Sequence, residues 1–151
     1  MEFYSLKDIK NLSKKIASVI KSNNIIFLYG EIGVGKTTFV RFLVNHLESK
    51  KGIKKSDILS PTFNIVYDYN IGTLKIYHYD LYRIKNYEDI LELGMFENAK
   101  NYIIIVEWPE FIKKKPKNRI DIFFQYSKKK DFRKVKIFGL GKWKDYKFNE
   151  L

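Results

Sequence analysis

Residues 30–37, Gly30-Glu31-Ile32-Gly33-Val34-Gly35-Lys36-Thr37, match the pattern G-x-x-x-x-G-K-[ST] in full. Each position has a physical task in holding a phosphate chain. Glycines reach backbone conformations closed to other residues, so the N–H groups of Gly33, Val34 and Gly35 can turn inward toward phosphate oxygens. A helix starting near Lys36 adds its positive dipole end to the same anion. Lys36 supplies a point charge for β- and γ-phosphates and is expected to face solvent in the free loop. The Thr37 hydroxyl suits Mg²⁺, and Thr38 sits where its N–H or hydroxyl reaches an α-phosphate. The implied ligands are ATP and Mg²⁺.

Magnesium takes oxygen ligands, and such loops usually borrow a carboxylate from the end of a neighbouring strand. Glu107 closes the apolar run Tyr102–Val106, which is that position. The pattern departs from the common one, because the acid is Glu and no second acid follows directly. Asp80, at the end of Leu74–Tyr79, is a second candidate. It can orient an attacking water or hold Mg²⁺ through water; it can equally cap a turn or pair with Arg83. Thr62, in Ser60-Pro61-Thr62, reads either as a switch residue sensing γ-phosphate and Mg²⁺ or as a turn threonine at a strand start. His46 and His78 have no cysteine or third ligand nearby and read as packing or hydrogen-bonding residues.

The elements that must position these groups follow from periodicity. Leu6, Ile9, Leu12, Ile16 and Ile20 predict a helix over 5–21, with Ser5 and Asp8 as its capping box. The apolar runs at 25–29 and 102–106 predict strands buried on both faces, as in a parallel sheet. A helix over 36–48 follows the glycine loop, and residues 48–57 form a polar connection. Residues 62–69 and 74–79 predict a hairpin around Gly72, and 120–126 with 133–138 a second one around the basic turn SKKKD. Asn86 and Asp89 start a short helix that ends at Gly94. Two parallel-type strands with two hairpins imply an α/β domain with a mixed sheet.

The chain has 151 residues, a length for one domain. It has no cysteine, no apolar run near the ~20 residues of a membrane span, and no signal-peptide pattern at its start, so a cytoplasmic protein is expected. Its net charge of +12 is uneven: residues 1–110 carry 15 Lys and Arg against 13 Asp and Glu, residues 111–151 carry 14 against 4. That asymmetry suggests a polyanionic partner for the C-terminal quarter, unless the lysines only keep the surface solvated.

GEIGVGKTTFVR at 30–41, SPTF at 60–63, YHYDLYR at 77–83, ELG at 92–94 and IVEWPE at 105–110 occur together in this order. The combination resembles the TsaE (YjeE) family, small bacterial ATPases needed for threonylcarbamoyladenosine in tRNA, and the likeness covers nearly the whole chain. It implies a P-loop NTPase-type three-layer α/β domain with a mixed central sheet and antiparallel hairpins, spanning 1–151. The departure from the family is the basic tail after about 139, which matches no family motif. It implies Mg²⁺-dependent ATP turnover supplied to TsaB and TsaD, which modify the adenosine next to the anticodon. The lack of a second acid after Glu107 and of an identifiable arginine finger predicts low hydrolysis by the chain alone, rising with those partners, and the charge asymmetry predicts tRNA contact that is indirect or through the basic C-terminal face. Carried over by position, Lys36, Thr37 and Thr38 hold phosphates, Thr37 and Glu107 hold Mg²⁺, Asp80 is a catalytic or metal-associated acid, Thr62 is a switch residue, and Ser5, Leu6 and Arg133 lie near the adenine. The alternative is a small-molecule kinase on the same core; four arginines and no lid segment weigh against it. A nucleic-acid-binding module with an incidental glycine loop is a third reading, opposed by the full phosphate and metal set.

Overall fold

Ser5 ends one element and starts the next. It is the last residue of strand β1 (Glu2–Ser5) and the N-cap of helix α1 (Leu6–Val19). Its hydroxyl accepts the Asp8 N–H while the Asp8 carboxylate accepts the Ser5 N–H, so two otherwise unpaired donors are satisfied by one reciprocal pair. β1 itself was absent from the periodicity, because four residues without a buried position leave no alternation to read. The computed structural model describes residues 2–148; the predicted span 1–151 therefore extends beyond the described residues at both ends.

The remaining elements are β2 (Ile25–Tyr29), α2 (Lys36–Lys50), β3 (Val66–Ile71), β4 (Leu74–Asp80), α3 (Tyr87–Glu92), β5 (Ile103–Glu107), β6 (Arg119–Tyr126) and β7 (Phe132–Leu140). The strands form one mixed sheet in the order β1-β7-β6-β2-β5-β4-β3. β2 lies at its centre, parallel to both β5 and β6, and β4 is parallel to β5. The hairpins β3–β4 and β6–β7 are antiparallel, as is β1 on β7. β3 starts later than the expected 62, because Ile65 takes a left-handed conformation (φ +67°) that breaks the strand before Val66.

Each strand's alternation sends residues to two cores. Ile26, Leu28, Ile76, Ile103, Ile105, Ile120, Ile122 and Phe124 face α1 and α2, where Ile9, Leu12, Ile16, Phe39, Val40 and Leu43 meet them. Phe27, Tyr79, Ile104 and Val106 face the other way, against Leu81, Ile84, Ile90, Met95 and Ile112. Each such aliphatic burial stabilises by roughly 1.5–3 kcal/mol. Three layers therefore exist over β2, β5 and β4. Among the described residues, no helix covers the second face of β6, β7 and β1.

The segment after Gly139 does not project from the domain. Trp143 and Phe148 are buried and join the α1-side core, with Tyr146 edge-on to Trp143 at a centroid distance of 5.4 Å. Gly139 permits this approach, since a Cβ there would lie 2.0 Å from the Trp143 carbonyl oxygen. Trp143→Ala is expected to lower the unfolding free energy by about 3 kcal/mol in urea titrations, as for a large buried aromatic. A loss below about 0.5 kcal/mol, typical of surface positions, would mean the segment contributes no packing.

Candidate functional site

The glycine loop bends where β2 ends and α2 begins. Gly30 has φ +141°, and a Cβ there would sit 2.5 Å from the Phe124 carbonyl oxygen and 2.9 Å from Val34 Cγ1. Gly35 has φ +123° and is the N-cap of α2, with no side-chain cap. The first N–H groups of α2 thus have no side-chain acceptor, and no acidic residue occupies the first turn to compete for an anion. Two groups from the β6–β7 hairpin hold the outer side of the loop. The Tyr126 hydroxyl donates to the Ile32 carbonyl (2.7 Å), and Arg133 Nε donates to the Val34 carbonyl (3.0 Å). With these carbonyls tied outward, the loop's shape is set before any anion arrives.

Lys36 departs from expectation: it is buried rather than facing solvent, at 4% exposure. Its Nζ donates to the carbonyls of Gly30 (2.5 Å) and Glu31 (2.9 Å) and lies 4.4 Å from the centre of the Trp108 ring. Burial lowers its pKa, opposed by the nearby carboxylates of Glu107 and Asp80. The ammonium is therefore held inside the loop by dipoles and a π face. A phosphate offers it a full negative charge in their place.

Glu107, the last residue of β5, is buried under the start of α2. Its Oε1 accepts the Thr37 hydroxyl at 2.9 Å and His78 Nε2 at 2.8 Å. The carboxylate accepts, so Nε2 carries a proton, and Nδ1 lies 3.4 Å from the Tyr69 hydroxyl. Burial pushes the Tyr69 phenol up to about 12. Asp80 is the register partner of Glu107 across β4 and β5. Its Oδ2 accepts the hydroxyls of Ser60 and Thr62, both at 2.9 Å, and its Oδ1 accepts the Tyr82 N–H at 2.9 Å. Asp80 thus caps the turn after β4 and also ties the segment 60–62 to the sheet, while Arg83 lies over the Phe63 ring instead of pairing with it.

The segment carrying Thr62 is anchored on both sides. Glu48, buried on α2, accepts from the N–H and hydroxyl of Ser56, and Arg41 donates to the Ile58 carbonyl. Beyond it, the Asp80 N–H donates to Ile65, a β-branched residue in the costly left-handed region. Phe63 between these anchors is 82% exposed.

Two adjoining cavities follow the loop. A smaller one of about 110 Å³ is lined by Gly33, Gly35, Lys36, Thr37, Thr38 and Glu107. A larger one of about 400 Å³ shares Gly33, Gly35 and Thr38 and adds Leu6, Ile9, Val34, Asp131 and Arg133. Ser5 does not line it; its hydroxyl is engaged with Asp8. Thr37 and Glu107 form the donor set that a magnesium ion takes when phosphates and water complete its shell. Among the described residues no group of three or more His, Cys, Asp or Glu is placed to hold a metal by itself.

Several contacts were not foreseen from the residues. His78 was read as a packing or hydrogen-bonding residue, and its partner is the candidate metal carboxylate. The signal was available: His78 and Asp80 are two apart on a strand and so share the face that Glu107 shares. Ser60 and Tyr126 carried no such signal. Trp108, left-handed at φ +59° beside Pro109, owes its place over Lys36 to that turn.

This is an α/β protein whose central parallel strand feeds a glycine loop into a helix, with two acids at neighbouring strand ends. The sequence model of the family described as "Threonylcarbamoyl adenosine biosynthesis protein TsaE" matches residues 3–135, and the chain belongs to the TsaE family. It is 43% identical over 109 residues to a Rickettsia typhi protein named "tRNA threonylcarbamoyladenosine biosynthesis protein TsaE", covering 72% of this chain and 73% of the relative. A Bacillus subtilis protein of the same name is 32% identical over 117 residues, 77% of this chain and 70% of its own. The crystal structure of Bacillus subtilis YdiB superposes with a TM-score of 0.72 at 26% identity, covering 93% of this chain and 86% of that one. The family match ends at 135, before the aromatic C-terminal packing.

His78→Leu removes the buried donor to Glu107 and is expected to cost about 1.5–3 kcal/mol of folding stability, the range for a lost hydrogen bond to a charged group. Chemical denaturation of the variant and of Tyr69→Phe tests the chain of contacts. A His78→Leu loss under about 0.5 kcal/mol would remove His78 from it.

Proposed function

We propose that this chain binds ATP with Mg²⁺ at the glycine loop and hydrolyses it as an accessory subunit of tRNA threonylcarbamoyladenosine synthesis, acting with TsaB and TsaD in the cytoplasm. The observation that carries the reading is the Thr37–Glu107 pair at 2.9 Å, beside Lys36 and under the open N-terminus of α2. The loop N–H groups and Lys36 hold the phosphates, and Thr38 reaches the α-phosphate between the two cavities. Leu6 and Ile9 give the base an apolar wall, with Arg133 beside it. Thr37 and Glu107 hold Mg²⁺, which when bound neutralises charge on the β- and γ-phosphate oxygens. His78 fixes the carboxylate's orientation.

Asp80 acts chiefly through Ser60 and Thr62, and reaches the metal through water. A γ-phosphate competing for the Thr62 hydroxyl draws that segment inward, so Thr62 works as the switch. The arrangement supports slow hydrolysis alone. The smaller cavity, beside Lys36 and Glu107, has no arginine in its lining, and Arg133 of the larger one is engaged with the Val34 carbonyl. Partners complete or order the site. tRNA meets the assembly indirectly or through the basic C-terminal face.

Lys36→Ala is expected to weaken ATP binding at least tenfold by calorimetry; unchanged affinity would refute the loop reading. Glu107→Gln should abolish turnover while ATP binding falls less, and Asp80→Asn should slow turnover. Hydrolysis by the wild-type chain should rise when TsaB and TsaD are added together. Fast turnover indifferent to them would contradict the accessory role.

A further inference from the structure

The uncovered sheet face has a composition that solvation alone does not require. β-strand alternation sends Phe132, Lys134, Lys136 and Phe138 of β7 to this face, with Phe123 and Gln125 of β6 and Phe3 of β1. Phe3 is 57% exposed and Phe138 42%, so two large rings stand open to solvent. Both open rings and the half-buried Phe132 have a lysine beside them: Lys134 lies 5.7 Å from the Phe3 centroid, Lys136 4.7 Å from Phe138, and Lys129 4.0 Å from Phe132. Beneath them Tyr29 stacks on Phe123 at 4.3 Å, and Phe123 meets Phe138 edge-on at 5.7 Å, giving the platform a packed base. The acid on this face, Asp121, is buried and paired with Arg119 at 2.9 Å.

The lysines of the C-terminal quarter do not gather on one surface. Lys113, Lys114, Lys115 and Lys117 precede the start of β6, and Lys128, Lys129 and Lys130 follow its end. An eight-residue strand separates them by roughly 23 Å. Lys113 lies over Tyr87, and Lys115 donates to the Ile112 carbonyl, so that group serves the α3 side. What remains concentrated is the β6–β7 turn and the open face below it, where cations alternate with rings.

We propose that this face binds single-stranded RNA, stacking unpaired bases on Phe3, Phe132 and Phe138 while Lys129, Lys134 and Lys136 engage the phosphates. It rests on the tRNA side of the function proposed above and adds the surface and the form of RNA recognised. Aromatic side chains on an open sheet, flanked by basic residues, supply the two interactions that single strands need. A duplex hides its base faces and has no use for the rings. A second copy of this chain would set lysine against lysine, and an acidic protein would use the charges but not the exposed phenyl faces. Phe132 and Phe138 are six residues apart on one strand, roughly 20 Å, a footprint of several nucleotides.

Fluorescence anisotropy with a labelled unpaired oligoribonucleotide of about 12 nucleotides tests this across a salt series, with the same strand annealed as a duplex and polyglutamate as comparison ligands. The single strand should bind tightest. Phe3→Ser combined with Phe138→Ser should weaken it at least about fivefold without changing the salt slope, because stacking is lost and no phosphate contact is. Lys134→Gln with Lys136→Gln should reduce the slope by about 1.4. All these positions are outside the nucleotide cavities, so ATP affinity should match wild type, and retained ATP binding shows that the variants are folded. Duplex or polyglutamate binding as tight as the single strand, or silent aromatic variants, overturns the proposal. A wild-type chain that binds the RNA but not ATP would sink the nucleotide reading alone; one that binds ATP but not the RNA would sink this one alone.

Discussion

A single carboxylate oxygen joins three elements of this protein. Glu107 Oε1 accepts from Thr37 at the start of α2 and from His78 on β4, while Glu107 itself ends β5. Buried carboxylates are costly unless hydrogen-bonded, and here the donors come from both sides of the strand that carries the acid. The consequence is positional. The Thr37 hydroxyl and the Glu107 carboxylate are set against each other by the same contacts that seat the helix on the sheet. Loosening any one of the three elements would move the others.

The same economy extends outward to the segment 56–65. Its start is tied to Glu48 and Arg41 on α2, and its middle to Asp80, the neighbour of Glu107 in the sheet. Its end passes through Ile65 in a strained backbone conformation. The hydroxyls of Ser60 and Thr62 donate to a carboxylate, the stronger class of hydrogen bond, so the middle of the segment is held firmly to the sheet while its end carries the strain. Trp108, left-handed on the far side of Glu107, closes over Lys36 and packs against Tyr82, so the turn after β4 and the turn after β5 meet above the glycine loop. Function-bearing groups thus lie at strand ends, where loops can move against a rigid sheet.

The sheet is used unequally. Its central strands are buried on both faces and carry the site at their C-terminal ends, which is where open α/β sheets leave a crevice. Its outer strands lean on α1 and the C-terminal aromatics on one side only. The hairpin that forms this half still serves the site, through Tyr126 and Arg133 on the loop carbonyls, while its opposite face is free for other contacts. Alternation along β7 is what allows both, because Arg133 and Lys134 point to opposite sides.

Much of this was legible in the chain. The glycine spacing, the apolar runs 25–29 and 102–106, and the Ser5–Asp8 capping pattern are local signals, and the structure holds β2, β5, α1 and the loop where those signals placed them. Lys36, Thr37, Thr38 and Glu107 meet in one cavity for the same reason: the motif puts three of them on one turn, and a buried strand ends at the fourth. What sequence alone left open were pairings between distant segments. The four residues of β1 carry no periodicity and become a strand only because β7 offers an edge. That Asp80 tethers Ser60 and Thr62 as well as capping its turn depended on the segment 60–62 being brought against the end of β4. The burial of Lys36 depended on Trp108 being turned over it by a left-handed backbone. Which lysines share a surface depended on which end of β6 they flank. Local patterns act within a few residues and can be read in one dimension; these contacts join residues 18 to 70 or more positions apart, and only the closed sheet brings them within reach.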